Sequence, residues 1–314
     1  MNDQHPDLVV FYIQTKKKVR KITAYRSDDC DLKLYHNKIN SFLNERFTPS
    51  IFSKAYVQGR SIYHNAVSHL YNDYFIMLDI RDFFPSICHK QLADKIFYEI
   101  NLKAPDQISK KECADIVESC SISSRGLPLG FVTSPILSNI YLKEFDKIFY
   151  GKLRKLNLRN VILTRYADDI TISFKTESTD RHLPVVDEIV SLASSLLARY
   201  GLRLNKDKTR SFNLNISNHV KVTGINITKD ADNYRRMTVG RSLKTNLYKD
   251  VVKNYGNLSQ DQISKIKGMQ AFILSVEKTG YETCYSEAML NHIRELGFSS
   301  LTELINSLDK PSSE

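Results

Sequence analysis

Long apolar runs are missing from this 314-residue chain. None approaches the roughly 20 residues that a bilayer-spanning helix requires, so a membrane protein is not expected. The N-terminal stretch Met1-Asn2-Asp3-Gln4-His5-Pro6 lacks a basic region followed by an apolar segment, and no secretory signal is expected. Cysteine is sparse: Cys30, Cys88, Cys113, Cys120 and Cys284 are scattered without paired spacing. That excludes a disulfide framework, argues against a zinc site, and suits reduced thiols in a cytoplasmic protein. Repeats and low-complexity linkers are absent as well. Acidic residues are in deficit, 35 against 45 Lys and Arg, for a formal charge of +10. Such an excess suits a polyanionic partner, and the lack of a strongly amphipathic surface helix favours nucleic acid over membrane. Hydrophobic content of 42% is ordinary for a folded protein with one large or a few small cores.

What is present is organised around residues 162–174, Ile-Leu-Thr-Arg-Tyr-Ala-Asp-Asp-Ile-Thr-Ile-Ser-Phe. Branched and apolar residues on both sides predict two strands, with a hairpin turn at Asp168 and Asp169. Adjacent carboxylates repel, and neighbouring strand residues point to opposite faces, so the pair is an odd choice for structure alone. Taken alone, it reads equally as a solvated turn or as part of a divalent-cation site. A second acid upstream tips the balance. The run Tyr74-Phe75-Ile76-Met77-Leu78 reads as a buried central strand ending in Asp79, and a carboxylate there is costly unless paired or metal-bound. Pro85 prevents that strand from continuing.

Elsewhere the pattern alternates between helices and short strands. Residues 18–26 alternate basic and apolar, which fits either a phosphate-binding face or a lysine-guarded edge strand. Helices are predicted over 33–47, with Leu34, Ile39, Phe42 and Leu43 inward, over 89–101, and over 183–200. The stretch Arg125-Gly126-Leu127-Pro128-Leu129-Gly130 is a bent loop to which another backbone can approach closely. Ser134 then Pro135 predicts a helix start with a serine cap, a setting that favours anionic groups. Strands are predicted over 202–212 and 221–228, giving an α+β sheet with helices on one face. From Gly240 the chain turns helical with a basic face, and Ser300 and Glu303 have capping-box spacing.

Asp79 after a buried strand, a glycine loop, and Tyr166-Ala167-Asp168-Asp169 in a hairpin, in that order, resemble the reverse transcriptases. Asn65-Ala66-Val67-Ser68-His69, Val222-Thr223-Gly224 and residues 268–276 are most similar to the bacterial retron type. The resemblance implies a right-hand polymerase fold: fingers at 1–73 with a contribution from 88–125, a palm of antiparallel sheet backed by helices at 74–87 and 126–235, and a helical thumb at 236–314. It implies RNA-directed DNA synthesis from deoxynucleoside triphosphates with two Mg2+ ions. Asp79 and Asp168 would bridge the metals, Asp169 would assist, and the Ile80 carbonyl would add a ligand.

By the same resemblance, Lys18 and Arg20 hold the triphosphate, Phe84 is the steric gate against a 2′-hydroxyl, Leu129 and Gly130 lie beside the nucleotide, and Lys208 sits near the triphosphate. Leu129 departs from the family's usual glutamine, which removes one polar contact. Asn65, His69, Val222, Thr223, Gly224, Arg241 and Lys244 are the expected RNA contacts. The implied partners are a cognate structured noncoding RNA (msr-msd), its msDNA product primed from a guanosine 2′-hydroxyl, and a separate effector in anti-phage defence. Rival readings are an intron-encoded or abortive-infection reverse transcriptase, an RNA-dependent RNA polymerase, and a catalytically silent RNA-binding scaffold.

Overall fold

The computed structural model describes residues 5–14, 19–102, 104–278 and 280–308. Lys18, named above for the triphosphate, and the tail beyond 308 lie outside them. The chain forms two compact units, Met1–Ile216 and Ser217–Glu314.

In the first unit, β1 (Leu8–Gln14) and β2 (Val19–Tyr25) make an antiparallel ribbon. There follow α1 (Asp31–Arg46), α2 (Ile62–Ser68), β3 (Tyr74–Asp79), α3 (Phe83–Ser86), α4 (His89–Asn101), α5 (Lys110–Ser119) and α6 (Ser134–Leu153). The unit closes with β4 (Arg159–Tyr166), β5 (Asp169–Lys175), α7 (Val185–Arg199) and β6 (Arg210–Asn213). Four strands form one antiparallel sheet in the order β4-β5-β3-β6. Its register sorts the two faces. Ile76 opposes Ile172, Leu78 opposes Ile170, and Leu163 opposes Ile172, so these side chains share one apolar face. They join a single core with Leu92 and Ile96 of α4, Leu137 and Phe145 of α6, and Ile189 and Leu196 of α7. Each buried aliphatic side chain contributes about 1.5–3 kcal/mol before entropy is charged against it. Strand alternation places Asp79, Asp169, Thr171 and Ser173 on the other face.

Two local expectations change. Leu34 is 47% exposed; α1 instead buries Leu32, His36, Ile39 and Leu43. Its rotation is set partly by His36, whose ring bonds the Tyr25 hydroxyl at 2.7 Å and the Ser119 carbonyl at 2.9 Å. Ser134 is not the cap of α6. Thr133 holds that position without a side-chain cap, while Ser134 donates to the Pro128 carbonyl at 2.7 Å and ties the helix to the glycine loop.

The second unit contains β7 (His219–Val222), β8 (Ile225–Lys229), β9 (Arg235–Thr238), α8 (Arg241–Val252), α9 (Gln260–Val276), α10 (Glu287–Glu295) and α11 (Leu301–Ser307). The three strands make their own antiparallel sheet. The unit therefore begins at Ser217 and takes in residues that the sequence grouped with the palm.

Candidate active site

Tyr166 pairs with Asp169 across β4 and β5, leaving Ala167 and Asp168 as a two-residue turn. Ala167 carries the turn with a φ of 57°. An L-residue pays about 1–2 kcal/mol for that conformation, and glycine would be the cheaper choice. The turn is the answer to the adjacent-carboxylate problem: Asp168 leaves the strand alternation while Asp169 opens β5. Asp79 is the direct strand partner of Asp169. The Ile80 N–H donates to the Asp168 carbonyl at 3.0 Å, and the Asn205 N–H donates to the Asp79 carbonyl at 2.8 Å. An adjacent pair of acids and a third about ninety residues upstream thus converge at one end of the sheet.

Their charges are felt. Burial, then the Asp79 charge, raises the Asp168 carboxyl above its ordinary range against the opposing pull of its own backbone, Lys208 and Arg20. Asp169 is open to solvent on one side, yet the surrounding protein and the charges of Asp168 and Asp79 push it up to about 6. Lys208 Nζ donates to Asp79 Oδ2 at 2.6 Å, and this hydrogen bond raises its own pKa. Among the described residues no three His, Cys, Asp or Glu side chains already surround a common point as a finished cation site. The donor set nevertheless fits a hard divalent cation: carboxylate oxygens, self-repelling, with the Lys208 ammonium standing in as the positive charge.

A buried network supports the turn from below. Arg165 is 0% exposed and forms a two-pronged pair with Asp146 of α6, at 2.7 and 2.9 Å. The same guanidinium donates to the Ala167 carbonyl at 3.2 Å and to Asn139 Oδ1 at 3.3 Å. The backbone of Arg165 also bonds residues 52 and 54, so this loop extends the sheet as a parallel bridge beside β4. Sequence reasoning passed over this network; its one signal was an arginine between a threonine and a tyrosine in an otherwise apolar strand.

The glycine loop closes the site from another side. Leu127 N–H donates to the Phe84 carbonyl at 2.9 Å and Gly126 N–H to the Ile87 carbonyl at 2.9 Å. A Cβ on Gly126 would lie 2.7 Å from the Pro85 carbonyl oxygen. Gly130 meets β2 rather than open space. Its absent Cβ would collide with the Thr23 carbonyl oxygen, while Thr23 N–H donates to Leu129 at 2.9 Å. The close approach expected of this loop is therefore to the strand carrying Arg20, which is exposed and electrostatically coupled to Asp168. Phe83 is buried in the core and Phe84 is half-buried against it.

The expected RNA contacts need correction. His69 is fully buried, with its ring nitrogens 2.7 Å from Ser173 Oγ and 2.7 Å from Thr164 Oγ1. It fastens β4 to β5 from the polar face and presents nothing to a ligand. Burial holds its pKa down to about 3, so it is neutral. Asn65 is buried too. In the second unit Val222 is buried, and Thr223-Gly224 is the two-residue turn between β7 and β8, with φ of 44° and 94°. That is the backbone pattern that favours glycine in tight hairpins. Lys244 is 7% exposed and pairs with Glu277 at 2.9 Å, which also accepts from Thr238 and Val239. Only Arg241 of the α8 pair is exposed, alongside Lys249 and Lys253.

The reverse transcriptase (RNA-dependent DNA polymerase) family matches residues 14–227. Among curated proteins the chain is similar to the retron Ec73 reverse transcriptase of Escherichia coli, 28% identical over 231 residues, 72% of this chain and 70% of the relative. It is 23% identical to the retron Ec86 reverse transcriptase of the same organism over 275 residues, 87% of this chain and 77% of the relative. It is 27% identical to the retron Mx162 reverse transcriptase of Myxococcus xanthus over 263 residues, 77% and 53% respectively. Among solved structures, telomerase from Candida albicans in complex with a TWJ fragment of telomeric RNA aligns at a TM-score of 0.49 and 11% identity, over 96% of this chain and 59% of that one. Apo telomerase from Candida tropicalis aligns at 0.47 and 14%, over 95% and 62%. The chain spans about three-fifths of the length of those telomerase chains. Among the described residues no helix is long and apolar enough to cross a membrane.

Proposed function

The chain belongs to the reverse transcriptase (RNA-dependent DNA polymerase) family, and from that membership we propose that it is a retron enzyme copying part of a cognate noncoding RNA into single-stranded DNA. It is an RNA-directed DNA polymerase of the α+β right-hand class. The observation that carries the mechanistic reading is the convergence of Asp79, Asp168 and Asp169 at one end of the sheet.

Two Mg2+ ions held by Asp79, Asp168, Asp169 and the Ile80 carbonyl would supply charge that activates the primer hydroxyl and steadies the leaving pyrophosphate. The chain's own groups do the rest. The backbones of Asp79 and Asp168 are fixed by main-chain bonds, which limits the adjustment of their carboxylates to side-chain rotation. Lys208, which bonds Asp79 here, would take a triphosphate oxygen as partner and give a proton to pyrophosphate. Arg20, on a strand docked to the glycine loop, pairs with the triphosphate. Phe84 meets the sugar and excludes a 2′-hydroxyl. The second unit offers RNA its exposed cations Arg241, Lys249 and Lys253, with the Thr223-Gly224 turn. A structured RNA is bound mainly through shape, 2′-hydroxyls and phosphates, so this contact weakens steeply with salt. Priming from a guanosine 2′-hydroxyl, an RNA-linked DNA product, a separate effector, a role against phage and a cytoplasmic site follow from the retron reading.

The purified protein, given a primed RNA template, Mg2+ and deoxynucleotides, is expected to extend the primer. Cells carrying the chain with its flanking DNA are expected to contain DNA joined to RNA. Extension only with ribonucleotides contradicts the DNA-polymerase assignment. Extension without any RNA-linked DNA contradicts the retron assignment alone.

A further inference from the structure

Tyr56 sits in the left-handed region, with a φ of 58°, where a bulky aromatic residue is a steric outlier. Strain of this kind costs about 1–3 kcal/mol and persists only when surrounding structure enforces it. Here the enforcement is visible. Arg60 donates to the Ser50 and Ser53 carbonyls, both at 2.6 Å. Asn139 donates to the Ala55 carbonyl at 3.0 Å and accepts from Ser53 Oγ at 2.8 Å. Arg165 binds the same asparagine, and its backbone bonds both sides of Ser53. The loop is therefore clamped to the catalytic hairpin up to Ala55, and the next residue is turned out of it.

The clamp does not bury Tyr56, which remains 51% exposed. It aims the ring at the catalytic cleft. The Tyr56 and Phe84 rings meet edge to face, with centroids 6.5 Å apart and planes at 67°. That distance lies within the range over which aromatic pairs attract one another. Flanking protein raises the Tyr56 hydroxyl pKa, and so do the charges of Asp168 and Tyr166, which puts Tyr56 within the field of the catalytic turn. A ring held in strained backbone, half open to solvent and set between a gate residue and a catalytic carboxylate has no evident packing purpose.

We propose that Tyr56 is a positioning residue for sugar selection: it braces the Phe84 ring edge to face and fixes the depth of the pocket that receives the nucleotide sugar. This rests on the reading of Phe84 as the sugar gate. Leu127 holds the gate by its backbone, Phe83 packs on its ring with centroids 5.2 Å apart, and Tyr56 meets the ring edge to face. An unbraced phenyl ring rotates away from the sugar and admits a 2′-hydroxyl.

The test uses the full chain on a primed RNA template and compares kcat/KM for a deoxynucleotide with that for its ribonucleotide. Tyr56→Gly removes the ring and accepts the positive φ, so its melting temperature is expected to equal or exceed that of the wild type. It is expected to lose about ten-fold of its sugar discrimination, mainly through a lower KM for the ribonucleotide. Tyr56→Phe keeps the brace and retains discrimination. Because Tyr56 acts through Phe84, the double variant Tyr56→Gly/Phe84→Ala discriminates no worse than Phe84→Ala alone. If Phe84→Ala relaxes selectivity and Tyr56→Gly does not, the brace is overturned and the gate stands. If Phe84→Ala leaves selectivity unchanged, the gate reading fails, and the brace fails with it whatever Tyr56→Gly does.

Discussion

Asp79 and Asp169 are direct partners across the antiparallel pair β3 and β5, so two carboxylates face each other where a sheet would ordinarily place an apolar or oppositely charged pair. Lys208 offsets part of that repulsion, but from a largely exposed position. Asp79→Asn is therefore expected to abolish primer extension without lowering the melting temperature of metal-free protein, because relief of repulsion at Asp168 and Asp169 compensates for the lost Lys208 contact. Thermal unfolding in the presence of a chelator checks this. A marked fall in melting temperature would show that the Asp79–Lys208 pair outweighs the repulsion.

Gly130 is expected to act on nucleotide binding as well as on stability, since its φ of 115° strains any other residue. Gly130→Ala drives a Cβ into the Thr23 carbonyl and must displace β2, the strand that carries Arg20. A displacement near 1 Å at a reacting site is worth up to about 100-fold in rate. Steady-state kinetics should show kcat/KM for deoxynucleotides down by between ten- and roughly 100-fold, with far-ultraviolet circular dichroism unchanged.

Arg165 and Asp146 stand to be the most sensitive pair for stability. Removing one partner leaves an uncompensated buried charge, at a cost of about 3–5 kcal/mol. Arg165→Met also strips the Ala167 carbonyl of its donor. Urea unfolding should place Arg165→Met and Asp146→Leu far below the wild type, and the double variant well above the sum of the two losses.

His69 ties stability to pH. Its pKa is about 3 when folded, against an ordinary value of 6.5, so the unfolded chain binds the extra proton between those values. The contribution is complete above pH 6.5 and is lost as pH falls toward 3, about 2 kcal/mol of it by pH 5. His69→Gln should be less stable than wild type at pH 8, and the gap should narrow on acidification. A constant gap in chemical denaturation across pH 8 to 5 would mean that His69 is not held neutral.

Residues with a simple period were the legible ones. The apolar run 74–78 foretold β3 because a central strand must be apolar on both faces, and two flanking branched runs foretold a hairpin turn at Asp168 and Asp169, which the structure sets one residue earlier, at Ala167 and Asp168. The Asp triad was readable through its motif and order. What escaped was long-range. Nothing in residues 50–60 announces that Asn139 and Arg165 will clamp them together with the loop's own Arg60, since those two partners lie in other elements. His69 and Lys244 were misassigned because a conspicuous polar residue reads the same whether it meets RNA or a buried Ser173, Thr164 or Glu277. Leu34 was placed inward by spacing alone, while the contacts of His36 rotated the helix.

Primer extension by Asp168→Asn on a primed RNA template with Mg2+ and deoxynucleotides tests the catalytic assignment most directly, read beside its melting curve. Extension should fall by at least about three orders of magnitude while the protein melts at or above the wild-type temperature. Extension within a few-fold of wild type by a folded Asp168→Asn protein would contradict the assignment of the chemistry to this turn.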